Sequence, residues 1–215
     1  MTNEELRIGA ASLMRQLGHE FVARTLSDDE LEALSRNVRT LLDDIRTAPP
    51  RLRELSRDRL EEFTLTIPTF DEIGERQLFS DSIVAGAANP MGLAAQLWRD
   101  GDVACMRVTL GKAFEGAPGR AHGGVVAALL DEVMGLMNVI HGAMAFTAQL
   151  DITYVAPTPV GEPIIARVWL ARRDNRKQFV EATLHADDVL VASANALFIS
   201  IDRSVFLEQI LSSED

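Results

Sequence analysis

Between Gly124 and Val139 the chain is apolar almost all the way round: Val125, Val126, Leu129, Leu130, Val133, Met134, Leu136, Met137 and Val139 exceed what one helical stripe can hold. A surface helix buries a single stripe, so this one is expected to be covered on most sides, by a concave sheet, with a second subunit as an alternative cover for part of it. The segment falls short of the roughly 20 uninterrupted apolar residues that cross a membrane, and no membrane span is expected anywhere in the chain. Asp131 and Glu132 interrupt it. A carboxylate in a mostly buried element costs several kcal/mol, of order, unless it is paired, hydrated or neutralised. Ala127, Ala128, Asp131, Gly135 and Asn138 recur three or four apart, so Asp131 stands on a face of small residues that admits a substrate or a partner's backbone. Glu132 lies about 100° further round, on a face expected to reach solvent.

Beyond Pro68 the remaining apolar residues follow a period of two. Met106, Val108 and Leu110 alternate with Cys105, Arg107 and Thr109, predicting a strand over 103–110. Ala148, Leu150, Ile152 and Tyr154 alternate in the same way, and residues 163–171 form another strand after the turn at Pro157, Pro159 and Gly161. Val180, Ala182 and Leu184 define a further strand. The last places Leu190, Ala192, Ala194, Ala196 and Phe198 on one face, with small residues at its centre where a thick element lies close.

The N-terminal part has helical periodicity. Ser27 and Glu30 form a capping box, after which Leu31, Leu34, Val38, Leu41 and Ile45 make one stripe. An earlier stripe through Leu6, Leu13, Met14, Leu17 and Phe21 is expected to pack against it as an antiparallel pair joined near Thr25 and Leu26, or to hold a solvent-facing appendage. Pro49 and Pro50 stop the helix. Arg51, Arg53, Arg57 and Arg59 then interleave with Glu54, Asp58, Glu61 and Glu62, a pattern of local ion pairs rather than a phosphate track. The expected division is a helical extension over 1–60, a sheet-and-helix domain over 61–203 and a C-terminal tail over 204–215.

Charge narrows the partners. Residues 1–60 carry 10 basic and 11 acidic groups and residues 61–215 carry 11 and 21, so the net charge of -11 belongs to the larger part and disfavours nucleic acid. Cys105 is the only cysteine, which forbids an intrachain disulfide and fits a reducing compartment. The acidic N-terminus lacks a basic stretch followed by an apolar run, and a cytoplasmic protein is expected. His19, His122, His141 and His185 form no recognisable ligand motif with the acids, so neither a metal nor a cofactor is called for.

The helix opens on Gly119-Arg120-Ala121-His122-Gly123-Gly124, which puts glycine amides where helical N–H groups lack intrahelical partners. Such donors suit a thioester carbonyl, whose oxygen gains negative charge during attack. A tightly packed turn explains the same glycines. His122 reads as a residue that fixes the loop through one ring nitrogen, and Asp131 is equally consistent with a solvated face or an interface ion pair.

Three segments carry a resemblance: Asn89-Pro90-Met91-Gly92-Leu93; His122-Gly123-Gly124 followed by Asp131; and Thr147-Ala148-Gln149-Leu150-Asp151-Ile152-Thr153-Tyr154 leading to Pro157, Pro159 and Gly161. Over much of residues 80–200 the chain resembles the hotdog-fold acyl-CoA thioesterases, in particular their phenylacetate-degradation-type branch. The resemblance implies an α+β hotdog fold, in which an antiparallel β-sheet wraps around a long central helix, here with an N-terminal helical extension. It implies a homodimer, with a dimer of dimers as a larger assembly. Asp131 would face Gly123 or Gly124 of the neighbouring subunit, Thr147 would orient the acid or the attacking water, and Asn89 and His122 would line the substrate site. The turn Arg172-Arg173-Asp174-Asn175-Arg176-Lys177 offers basic groups to coenzyme A phosphates. Asn175 stands where the family frequently has glycine, and suits a left-handed turn.

These expectations amount to hydrolysis of an acyl-CoA thioester to the free acid and coenzyme A. A hotdog acyl-CoA hydratase or dehydratase, a noncatalytic acyl-CoA binding or sensing module, and an interaction protein using the central helix are the competing readings. Acyl length is set by three-dimensional placement and is not legible from residue counts.

Overall fold

The computed structural model describes residues 1–51 and 80–202. Helices α1 (Asn3–Ala23) and α2 (Asp28–Arg46) come first. They are followed by strands β1 (Gln96–Asp100), β2 (Val103–Thr109), β3 (Glu115–Ala117) and β4 (Arg120–Ala121), helix α3 (Gly123–Ile140), and strands β5 (Met144–Tyr154), β6 (Pro163–Asp174), β7 (Lys177–Ala186) and β8 (Val189–Ile201). The Arg53–Glu62 ion-pair segment, the boundary at residues 60–61 and the tail over 204–215 lie outside the described residues.

Six strands form one sheet in the order β1-β2-β6-β7-β8-β5, every pair antiparallel. The alternation seen in the sequence sets which face meets α3. Met106, Ala166, Val168, Val180, Ala182 and Leu184 are all 2% exposed or less. Ala192, Ala194 and Ala196 continue this face on β8, and the same core takes Leu129, Leu130, Val133, Met134 and Met137 of α3, each of those five at 0% exposure. Small residues under a helix that is apolar on most sides let backbone and helix approach at native packing density. By length and composition α3 could cross a membrane, yet it packs into the sheet and carries Asp131 and Glu132, as a core helix does.

At the open end of this core, Thr147 of β5 pairs with Phe198 of β8, Phe198 with Gln178 of β7, and Gln178 with Arg173 of β6. Phe198 and Gln178 are buried, and Thr147 lies exposed at the end of the row beside α3. β5 is the last strand of the sheet. Its outer edge has no strand partner among the described residues, and its central side chains are mostly exposed, Phe146 at 56%.

The capping box at Ser27 and Glu30 forms as expected, and a second one at Thr2 and Glu5 starts α1. The helix pair departs from expectation. Instead of closing on one another, the two stripes face across an open cleft of about 610 Å³, with Met14, Leu17 and Phe21 on one wall and Leu34, Val38 and Leu42 on the other. The reason lies in what α1 turns inward. Its inward face is Ile8, Ala11, Ser12, Arg15 and His19, of which Ala11 is fully buried. Arg15 donates to the carbonyls of Ala87 and Asn89 at 2.8 and 2.6 Å, and the Ala113 amide donates to His19 Nδ1 at 3.1 Å. Hydrogen bonds thus fix the roll of α1 about its axis and leave its apolar stripe outward. Gly111 permits the approach, because a Cβ there would lie 2.5 Å from the His19 ring.

Candidate active site

The glycine turn is held by hydrogen bonds to its backbone from three directions. The Ala121 amide donates to the Thr158 carbonyl and the His122 amide to the Phe114 carbonyl, at 2.8 and 2.9 Å. The Tyr154 hydroxyl donates to the Gly123 carbonyl at 2.8 Å. His122 is the N-cap of α3, and its Nδ1 accepts the Gly124 amide at 3.0 Å. This is the loop-fixing role read from the sequence, and it changes the roles of the glycines. Gly124 spends its amide on His122, while the Gly123 amide has no acceptor among the described residues and stands at the positive end of the helix.

Two turns further along α3, Asp131 is exposed and accepts a 2.8 Å hydrogen bond from Thr147 Oγ1. A β-branched hydroxyl on a regular strand has few rotamers, so this contact limits where the carboxylate points. At about 1.5 Å rise per residue, eight residues put Asp131 roughly 12 Å along the axis from Gly123. Within one chain the acid and the free amide are thus too far apart to contact the same carbonyl group.

Glu132 was expected to reach solvent; the structure places it half-buried beside the loop over 80–93, with Ser82 Oγ 3.5 Å from its Oε1. Burial pushes its carboxyl up from the ordinary carboxylate range, the neighbouring Asp131 charge pushes it further, and the Ser82 hydroxyl opposes both. A carboxyl raised in the folded state contributes stability when protonated and loses it as pH climbs from the unfolded value through the folded one. Glu132→Gln is therefore expected to raise the melting temperature at pH 7, by about 1 kcal/mol of stability, and to lose that advantage toward pH 4. Paired thermal melts across this range measure it.

The remaining expected site residues fall into two groups. Asn89 uses its whole side chain within its own loop: Nδ2 donates to the Asp81 carbonyl at 3.1 Å and Oδ1 accepts the Met91 amide at 2.8 Å. It holds the loop that Arg15 grips from α1. The β6–β7 hairpin turns at Asn175 with φ +51°, as its sequence implied. There Arg172 lies 3.9 Å over the Phe179 ring and 3.8 Å from Asp174, and Arg176 donates to the Ser200 carbonyl at 2.8 Å. Arg173 and Lys177 are exposed beside them. Arg173 shares the strand row of Thr147, three strands away at about 4.8 Å each. Cys105 is fully buried, and burial pushes its thiol up, so it offers no exposed nucleophile.

Sequence reading gave Tyr154 no site role, placing it on the apolar face of its strand and in a motif, weighed His19 only as a metal ligand, and passed over Arg15 beside a conspicuous stripe. A tyrosine at a strand end close to a glycine turn is the signal that could have found the first.

A long helix wrapped by an antiparallel sheet, entered through a glycine turn, defines the hotdog fold. Residues 118–193 match the family model described as the thioesterase superfamily. Acyl-coenzyme A thioesterase THEM4 of Mus musculus is 36% identical over 91 residues, which are 41% of this chain and 39% of that protein. THEM4 of Xenopus laevis is 33% identical over 93 residues, 42% of each. The matches thus span about two-fifths of the length of these curated relatives. A crystal structure described as that of a thioesterase superfamily protein superposes with TM-score 0.74 at 25% identity, covering 90% of both chains.

Proposed function

We propose that the chain hydrolyses an acyl-CoA thioester to a carboxylic acid and coenzyme A. The observation that carries this reading is the 2.8 Å bond from Thr147 to Asp131, which holds an exposed carboxylate on a mostly apolar helix. The thioesterase-superfamily match over residues 118–193 and the THEM4 relatives support the reaction class.

In this mechanism two copies pair so that Asp131 of one faces the glycine turn of the other. The thioester carbonyl oxygen accepts the Gly123 N–H. Asp131 takes a proton from water as the water oxygen attacks the carbonyl carbon, or attacks that carbon directly through its carboxylate. Negative charge on the oxygen is stabilised by the amide and the helix start. Collapse breaks the carbon–sulfur bond and expels coenzyme A as the thiolate, which takes up the proton held by Asp131; on the direct route the acyl–Asp131 anhydride left behind is then hydrolysed by water to the free acid and the regenerated carboxylate. Gly124 and His122 keep the turn in shape, and Tyr154 holds the Gly123 peptide from behind. Arg173 and Lys177 are the hairpin cations proposed for the coenzyme A phosphates, with Arg172 and Arg176 bracing the hairpin and Asn89 bracing the adjoining loop.

The same proposal includes cytoplasmic residence and membership of the phenylacetate-degradation-type branch, the latter resting on the three motifs quoted above. A thiol-release assay over short, medium, long and aromatic acyl-CoA substrates tests reaction and branch together: aromatic preference supports the branch, and no thiol from any of them overturns the hydrolase. Thr147→Val keeps the shape and removes the donor, and is expected to lower turnover by about 10-fold or more, the scale of one hydrogen bond to a charged group. Steady-state kinetics on the best substrate measures this.

A further inference from the structure

We propose that the outward faces of α1 and α2 are a self-association surface, occupied by the same helix pair of a second copy, separate from the β5 edge. Eleven large apolar side chains on these helices keep between 36% and 67% of their surface exposed, and α2 has no buried residue. α1 cannot turn its stripe inward, because Arg15 and His19 are committed to the loops beneath it.

The chemistry of the surface selects its occupant. Leu31, Leu34, Val38, Leu41 and Ile45 follow a strict three-four spacing, the seam that one helix presents to another. The exposed apolar area is on the order of the ~800 Å² per partner that a standard interface covers. A two-fold contact requires a self-complementary patch, and a cleft walled by Met14, Leu17, Phe21, Leu34, Val38 and Leu42, with both an acid, Asp43, and bases, Arg39 and Arg46, along it, meets that requirement. An anionic membrane does not fit: α2 carries six acids against three arginines, where a membrane-surface helix has a basic polar face.

Light scattering on the full chain tests this. Leu41 is 58% exposed and Ile45 57%, so Leu41→Glu and Ile45→Lys leave the fold intact, which melting curves check. Each variant is expected to have half the mass of the parent at micromolar concentration, with unchanged thiol release per chain. Parent and variant masses that agree overturn the proposal; so does agreement accompanied by parent-only binding to phosphatidylcholine–phosphatidylglycerol vesicles, which reassigns the surface to lipid. Phe146→Asp, on the exposed outer strand β5 that carries Thr147, addresses the separate pairing of copies required by the proposed function. If both contacts exist, the double variant has a lower mass than either single variant, so failure of one reading stays visible beside success of the other.

Discussion

Asp131→Asn is expected to lower acyl-CoA turnover by about 10²- to 10⁴-fold, the range over which a positioned proton acceptor contributes. The substitution is nearly isosteric. Its Oδ1 still accepts from Thr147, the residue is exposed, and no apolar contact is lost, so the melting temperature and acyl-CoA binding should stay close to the parent's. Measuring thiol release, thermal unfolding and equilibrium binding on one preparation separates a chemical role from a structural one. Full activity in a pure variant would make Asp131 an ordinary surface acid.

The largest effect on stability is expected from Phe198→Ala. Phe198 is 2% exposed, belongs to the core, and stands in register between Gln178 and Thr147. Truncation removes a ring from a close-packed interior and costs about 3–5 kcal/mol. For a domain of this size that is roughly a 6–20 °C fall in melting temperature. Turnover should fall as well, even where the variant is folded, because the strand carrying Thr147 loses its packed neighbour. Denaturant melts with kinetics below the transition measure both; a loss under about 1 kcal/mol would mean that this end of the core relaxes to fill the space.

The sheet and the central helix were legible because burial imposes a period. Alternation at Val180, Ala182 and Leu184 and at Ala192, Ala194, Ala196 and Phe198 predicted the inward face, but not at Leu190, which is half-buried while Val191 is buried, because the β7–β8 register shifts there; the apolar surplus of α3 predicted that it would be covered. Both capping-box residues of α2 were readable from local chemistry. The orientation of α1 was not. Its stripe is the stronger pattern, while its seat is decided by Arg15 and His19 bonding to backbone groups 72 to 94 residues away, and no local period reports such contacts. The candidate site divides in the same way. Asp131 and Thr147 were named from the sequence and meet in the structure. His122 was read as fixing the loop, but which glycine amide it takes, the grip of Tyr154 on Gly123 and the burial of Glu132 depend on how the turn and the loop over 80–93 close on α3.

The account rests on an acid from one chain serving an amide of another, and a mixed dimer tests that most directly. Gly123→Pro deletes the amide where proline is best tolerated, the first position of a helix, and His122 already has the extended conformation, φ -64° and ψ 134°, that a following proline requires. Homodimers of Gly123→Pro and of Asp131→Asn should both be nearly inactive. A dimer with one chain of each kind gathers both defects into one site and leaves the other intact, so about half of the parent activity per dimer is predicted. A mixed dimer no more active than either homodimer would mean that both groups act within one chain, and would contradict the account.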